Sequence, residues 1–397
     1  MPGQYRRPGA RATAHPMARG ATAAIALAAL LAACVPAQTS STSPSAPSSS
    51  FDGGSNLPSG APLPGADEDL VKAAQGEGSL TVIGLARDRC NYAMIIDTFS
   101  HKYELAVNEL KPSAAPADQL EAIAAADGAA APDVVDLPIA AADTATAGLL
   151  EPFKVSTWSS IPDAVKAPDG AWTGNYYGVL SFEINTTVVP TVPQAWSDLL
   201  GPRYKSRVAL AGDPRTSGAG AYAVYSAALA NGGSLDDARR GLDFFKALHG
   251  AGNLVPQVAT SAAIDDGQTP VTMRWTYESL AHRDASAGGA QIEVAVPAVG
   301  RLAVANAQAI SARAPHPNAA RLWLEFLYSD QGQNLLLDGY CHPVRFDDLA
   351  ARDAIPVETL AKLPDTSPVV FPTVAQQAKA IDLIAANWDR VVGVDIH

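Results

Sequence analysis

Between residues 79 and 150 short apolar runs alternate with helical stretches, and few folds accept that pattern. SLTVIGL (79–85) reads as a buried strand ending at Gly84, after a short helix in EDLVKAAQGEG (68–78). NYAMIIDTFSHKY (91–103) sets Tyr92, Ile95, Ile96 and Phe99 at helical spacing, and LAVNELK (105–111) is the next strand. PADQLEAIAAA (116–126) is a helix with Asp118 near its start, PDVVDLP (132–138) a third strand and IAAADTATAGLL (139–150) another helix. Strands of about 4–7 residues alternating with helices of about ten predict an α/β chain, a mostly parallel sheet with helices on both faces. Ligands of such sheets sit beyond the carboxyl ends of the strands, so Gly84-Leu85-Ala86-Arg87-Asp88 lies at a binding edge.

The middle of the chain reads differently. YYGVLSFEINTTVVP (176–190) is an apolar-rich strand pair, and PQAWSDLLGPRYKSRVALAGD (193–213) a short helix, a turn and a strand. SGAGAYAVYSAALANGG (217–233) is a helix stopped by glycine, and SLDDARRGLDFFKALHG (234–250) a second, with Ser234 as cap and Gly250 as stop. VTMRWTYESLAHRD (271–284) and QIEVAVPAV (291–299) complete this unit. After Arg301 come LAVANAQAISARA (302–314), the amphipathic segment 316–340 and a last helix in TVAQQAKAIDLIAANWDRVV (373–392).

Residues 1–66 carry none of these signals. The apolar run Ala21–Ala33 follows Arg6, Arg7, Arg11 and Arg19, with no acidic residue before Asp52. A spanning helix needs about 20 apolar residues and an export signal about 7–15, so the run is expected to be a signal peptide, residues 1–33. Its end, Leu31-Ala32-Ala33-Cys34, resembles the lipobox of bacterial lipoproteins, and that resemblance makes Cys34 the diacylated first residue of the mature chain. Two acyl chains suffice for stable anchoring. An ordinary signal with an incidental Cys34 is the other reading. Residues 34–66 are dominated by Ser, Pro, Thr, Gly and Ala, a composition expected to form a flexible tether with a mean reach on the order of 30 Å.

The body from residue 67 onward is long enough for two domains with separate cores. The net charge is −12 for the whole chain and becomes −16 when the four arginines of residues 1–33 are removed. So acidic a protein repels nucleic acid, which is not expected as a partner. Of the three cysteines, Cys90 and Cys341 remain once Cys34 is acylated. In an oxidising compartment they are candidates for a disulfide, with two buried free thiols as the alternative. The seven histidines (15, 101, 249, 282, 316, 342, 397) form no metal spacing, and TSGAG is not a nucleophile elbow. No metal, cofactor or catalytic residue is expected; a surface enzyme and an adhesin are the competing classes.

Several segments in fixed order resemble one family, the extracellular solute-binding proteins of bacterial ABC importers. The branch is the one serving ferric iron, polyamines, thiamine and aminoethylphosphonate. Residues 185–220, NTTVVPTVPQAWSDLLGPRYKSRVALAGDPRTSGAG, are similar to its Trp-x-Asp-Leu-Leu helix, Pro-x-Tyr-Lys turn and Ser-Gly-x-Gly loop. HPNAARLWLEFLYSDQGQNLL (316–336) and GYCHPVR (339–345) are similar to its late helix and turn. The resemblance implies a type II periplasmic-binding-protein fold, two α/β lobes about a cleft. Residues 67–180 and 297–397 form one lobe, and 181–296 form the other with the hinge crossovers. It also implies a monomer that takes a small-molecule solute and hands it to ABC permease subunits.

Within that frame Ser217 and Gly218 open a helix whose free N–H groups favour an anion, or else form a plain helix cap. MRWTYESL (273–280) lies where ferric-binding members carry two adjacent tyrosines; here Trp275-Thr276-Tyr277 keeps one phenol, which speaks against iron. Trp275 and Tyr277 suit stacking on an organic ligand, or a lobe core. Tyr176 and Tyr177 precede the crossover and face either the cleft or the hinge packing. Arg87 and Asp88 match the charged ends of a zwitterion, or are solvated. An aminophosphonate, a polyamine-like cation or a small zwitterion is the expected solute, with ferric iron as the alternative.

Overall fold

The computed structural model describes residues 67–397 except 126, 127, 129, 130, 146, 147 and 287. The expected signal peptide 1–33, the Cys34 lipidation site and the tether 34–66 lie outside the described residues. Helix α1 (Glu68–Glu77) begins where Asp67 accepts a bond from the Asp69 amide and stops at left-handed Gly78. Then follow β1 (Ser79–Ile83), α2 (Tyr92–Tyr103), β2 (Ala106–Leu110), α3 (Pro116–Ala124), β3 (Val134–Pro138), α4 (Ile139–Asp143) and β4 (Leu150–Glu151). Strand β1 lies between β2 and β3, parallel to both, as the alternating pattern predicts, but the sheet is not mostly parallel, because β10 and β5 pair antiparallel with their neighbours.

Next comes β5 (Thr173–Asn185), thirteen residues all buried. Past it are β6 (Val208–Leu210), α5 (Gly218–Ala230), α6 (Arg239–Gly250), β7 (Leu254–Val258), α7 (Ser261–Asp265), β8 (Val271–Trp275), α8 (Thr276–Ala285) and β9 (Ile292–Ala295). The chain closes with β10 (Ala303–Ser311), α9 (Pro317–Leu327), α10 (Asp330–Asp338), β11 (His342–Pro343), α11 (Phe346–Ala351), α12 (Val357–Leu360) and α13 (Val374–Val391). The strand order β2-β1-β3-β10-β5-β8-β6-β7 puts β5 at the middle.

Strand β5 does two jobs in succession. Residues 173–179 pair antiparallel with β10, whereas Leu180–Ile184 pair with β8 and Phe182–Asn185 with β9. Core membership changes at the same point. Val179 belongs to a core with Tyr92, Phe99, Trp323 and Phe326; Leu180 belongs to another with Trp196, Phe245 and Trp388. Strand β10 returns to the first core, and α13 lies against α5 and α6 in the second.

Three local expectations are corrected. Residues 176–190 are one strand and a turn, not a strand pair, because β5 finds partners elsewhere along its whole length. Trp196–Leu200 and Pro202–Tyr204 are 3₁₀ turns, since Asp198 accepts from the amides of Gln194 (2.9 Å) and Ala195 (3.0 Å) and tightens the chain. Helix α6 starts at Arg239, not after Ser234. Ser234 instead bonds the Asp236 amide, and Asp237 accepts from the Arg239 amide at 3.0 Å. Cys90 and Cys341 are joined as a disulfide with Cα atoms 5.3 Å apart, and both are buried. Closing a loop with a sequence separation of 251 contributes about 5 kcal/mol in the chain-entropy account.

Candidate functional site

The site forms where β5 passes from one core to the other, and it begins with an irregularity in the ladder. Asn306 pairs with Tyr176, but Ala307 pairs with Gly174, so Asn175 is an extra residue and β5 bulges. Asn175 Nδ2 donates to the Tyr92 phenol oxygen at 2.7 Å, and Asn175 Oδ1 accepts from the Tyr176 amide at 2.9 Å. The Tyr176 phenol in turn accepts from Asn306 Nδ2 at 2.7 Å.

Beneath it lies Asp136, 2% exposed in β3. Its carboxylate takes the Tyr92 hydroxyl, Gln308 Nε2 at 3.1 Å and Asn306 Nδ2 at 3.1 Å, and Trp323 Nε1 fixes Gln308 from the other side. Burial raises the Asp136 carboxyl above its usual range, with the Arg89 charge as the main opposing influence. A buried network so fully bonded is rigid, so Tyr176 is held in a fixed pose.

Arg89 comes from the β1–α2 loop. Gly84 opens that loop with φ +83°, and a Cβ there would strike the Gln119 amide, whose Oε1 holds the Asp136 N–H at 3.0 Å. The Arg89 Nη2 donates to the Gly84 carbonyl at 2.9 Å, while its buried Nε has no partner among the described residues. Tyr176, Asp136, Tyr92 and Tyr277 surround its charge and raise its affinity for the proton still further.

The opposite side comes from the second sheet. Trp275 ends β8, and Tyr277 and Glu278 lie in the first turn of α8. Both aromatic rings lap over β5 at Gly178, where a Cβ would come within 2.7 Å of Tyr277 Cε1 and 3.0 Å of Trp275 Cε3. Tyr277 meets Tyr176 edge to face with ring centres 5.8 Å apart, and its ring packs on the first core. Trp275 packs on the second, 5.7 Å from Tyr222 of α5. Burial pushes the Tyr176 and Tyr277 phenols far up and raises the Glu278 carboxyl, which Arg274 opposes from 3.7 Å. Behind Glu278, Arg274 reaches the wholly buried Glu183 of β5 at 3.2 Å, and His282 Nδ1 lies 2.5 Å from the same carboxylate.

Of the residues singled out in the sequence, Tyr176, Trp275 and Tyr277 are brought together. Tyr177 points to the other face, stacked on His342 at 5.3 Å and edge-on to Phe371. Arg87 is at the surface, paired with Asp97 at 2.5 Å and Glu109 at 2.7 Å, and Asp88 is exposed. Ser217 occupies the cap position of α5 without a capping bond, its hydroxyl against Gly212, and a Cβ on Gly218 would lie 3.7 Å from the Tyr222 ring. Arg89, Asp136, Asn306 and Glu278 were not singled out. A polar residue inside an apolar strand was the signal for Asp136 and Asn306. Arg89 shares its loop with Arg87, and nothing local says which of the two turns inward. Among the described residues no group of three or more His, Cys, Asp or Glu side chains is placed to hold a metal ion.

This chain belongs to the bacterial extracellular solute-binding proteins: the family's pattern matches residues 139–368, more than half of its length. The match takes in Tyr176, Trp275, Tyr277, Glu278 and Asn306, while Arg89 and Asp136 precede it. The fold is that of type II periplasmic binding proteins. An ABC transporter substrate-binding protein from Bradyrhizobium japonicum superposes with a TM-score of 0.63 at 18% identity, covering 78% of this chain and 99% of that one. The periplasmic binding protein AfuA from Actinobacillus pleuropneumoniae, with exogenous fructose-6-phosphate bound, gives 0.57 at 20% identity, covering 80% and 99%. Iron-bound HitA from Pseudomonas aeruginosa gives 0.57 at 20%, covering 79% and 99%. In sequence, an uncharacterized protein of Haemophilus influenzae is 28% identical over 212 residues, 49% of this chain and 57% of that protein. The chain thus spans little more than half the length of that curated relative. No described helix is long and apolar enough to cross a membrane.

Proposed function

We propose that this chain is the solute-binding component of an ABC importer and captures a small organic solute between its two cores. The observation that carries the reading is Arg89, a half-buried guanidinium whose buried Nε has no partner among the described residues, set among the Tyr176 and Tyr277 phenols where the shared strand changes core. A cation with a buried, unused donor attracts an anionic group. Glu278, entering from α8, offers the counterpart for an ammonium, and Trp275 and Tyr277 supply flat apolar contact. That combination favours an aminophosphonate or small zwitterion over a polyamine-like cation, which Arg89 would repel.

Capture follows from thermodynamic linkage. A solute touching Arg89 on one side and Glu278 on the other binds the closed form better, and the hinge equilibrium shifts by that difference. The closed form then docks on the permease. Lipidation at Cys34, on the strength of the Leu31-Ala32-Ala33-Cys34 pattern, and the tether 34–66 would keep a monomeric carrier near the membrane outside the cell. On this reading the chain is a carrier and not an enzyme.

A second reading, ferric iron, gains from one observation: Tyr176 stands beside Tyr277, so the site holds two phenols although Trp275-Thr276-Tyr277 keeps only one. Burial keeps both protonated and Arg89 repels a cation, so the organic solute is favoured. A thermal-shift series with aminophosphonates, amino acids, polyamines and ferric citrate tests both. Saturation a hundredfold above Kd stabilises by about 2.7 kcal/mol. Response to a zwitterion supports the reading; response to ferric citrate alone, with a chelator-sensitive colour, overturns it for iron.

A further inference from the structure

The loop that presents Arg89 is built in an unusual way. Cys90 (φ 51°) and Asn91 (φ 60°) are consecutive left-handed residues that are not glycine, and Tyr340 (φ 67°), beside the partner cysteine, is a third. Each such residue is strained and persists only where its surroundings over-determine it. Here they do. The disulfide fixes Cys90 to Cys341, and Asn91 Nδ2 donates to the Leu335 carbonyl at 3.0 Å. Gly339 packs so closely that a Cβ would lie 2.5 Å from the Asn91 nitrogen and 2.7 Å from Asn91 Cβ. Arg89, one residue before the cysteine, is thus aimed by the backbone; among the described residues its side chain hydrogen-bonds only the Gly84 carbonyl.

The same turn reaches the second sheet. Tyr340 donates its hydroxyl to Asp284, and the Arg283 guanidinium lies over the Tyr340 ring at 5.9 Å. Asp284 and Arg283 are in the last turn of α8, the helix whose first turn carries Tyr277 and Glu278. A covalent and hydrogen-bonded path therefore runs from Arg89 through Cys90–Cys341 and Tyr340 to the far end of that helix.

We propose that the Cys90–Cys341 disulfide and the Tyr340–Asp284 contact act as one positioning unit. It presets Arg89 and registers α8 against it, so that both charged ends of the site are in place before solute arrives. The inference rests on Arg89 and α8 being the two walls of the solute site. Its mechanical content can be tested without solute: amide hydrogen exchange is measured on the unliganded protein and two variants. In the double variant Cys90→Ser/Cys341→Ser, exchange is expected to rise about tenfold or more both at 84–92 and at 276–286. A rise confined to 84–92 and 336–345 would mean a staple internal to the first core and would overturn the proposal. Should that variant fail to fold, Tyr340→Phe decides, since it keeps the disulfide and the ring. Faster exchange at 280–286 supports the latch, and unchanged exchange refutes it. Coupled exchange in a protein that binds no zwitterion would instead refute the solute reading and leave the positioning unit standing.

Discussion

Arg89 owes its place to Gly84, Cys90 and Asn91, and Tyr176 owes its pose to a single inserted residue, Asn175. At this scale the proposed binding surface separates from the packing surface. Trp275 and Tyr277 are half-buried and lap over Gly178. Replacing either with alanine is expected to weaken solute binding by about 1–3 kcal/mol while each core stays folded. Equal loss of melting temperature with affinity unchanged would return them to the core.

His342 is a different kind of residue. It is buried between Tyr177 and Phe346, its Nδ1 has no partner among the described residues, and desolvation lowers its pKa to about 4 from an ordinary 6.5. The folded protein holds it neutral while the unfolded chain protonates it more readily. Its contribution is therefore complete above about pH 6.5 and is lost as the pH falls toward 4, at most roughly 3 kcal/mol. Denaturant titrations of wild type and His342→Phe across that window check this; the variant should lose less stability on acidification. An identical acid limb in both would show that the histidine is solvated.

Among the elements, α8 couples the most charge to the site. Glu183, wholly buried, holds Arg274 and His282, and Asp265 at the end of α7 adds an ion-pair contact to His282 at 3.2 Å. Hydrogen bonding to Glu183 raises the His282 pKa, so its stabilisation is present below the ordinary value near 6.5 and fades as the pH rises through the raised one. Glu183→Gln is expected to destabilise by about 3 kcal/mol, because it leaves a guanidinium and an imidazole without their shared anion. It should also flatten the alkaline limb of the stability profile. A variant as stable as wild type at pH 6 would contradict this account of what anchors α8.

The elements also show what the sequence could reveal. Strands β1, β2 and β3 and the helices between them follow from period alone, because each has one local signature. Strand β5 read as two strands since all thirteen of its positions are buried and no alternation marks its partners. Tyr176 and Tyr277 lie a hundred residues apart, and only the pairing of Leu180 with Trp275, carried on to set Gly178 opposite Tyr277, brings the two phenols together. Such register is a tertiary fact. Arg87 and Arg89 differ by the direction of a loop whose shape depends on a disulfide between residues 251 positions apart.

For the whole molecule, the proposed reading makes the strand shared by two cores the hinge, and the path Arg89–Cys90–Cys341–Tyr340–Asp284 is a second link between the first core and α8. The direct test is calorimetric. The solute released by denaturing the purified protein is identified by mass spectrometry, then titrated into wild type and Arg89→Met. One site per chain is predicted for the wild type. In the variant affinity should fall by about 1.5–3 kcal/mol, the worth of a bond to a charged group, with an unliganded melting temperature close to that of wild type. Equal affinity in the two proteins would place the solute elsewhere and contradict the account.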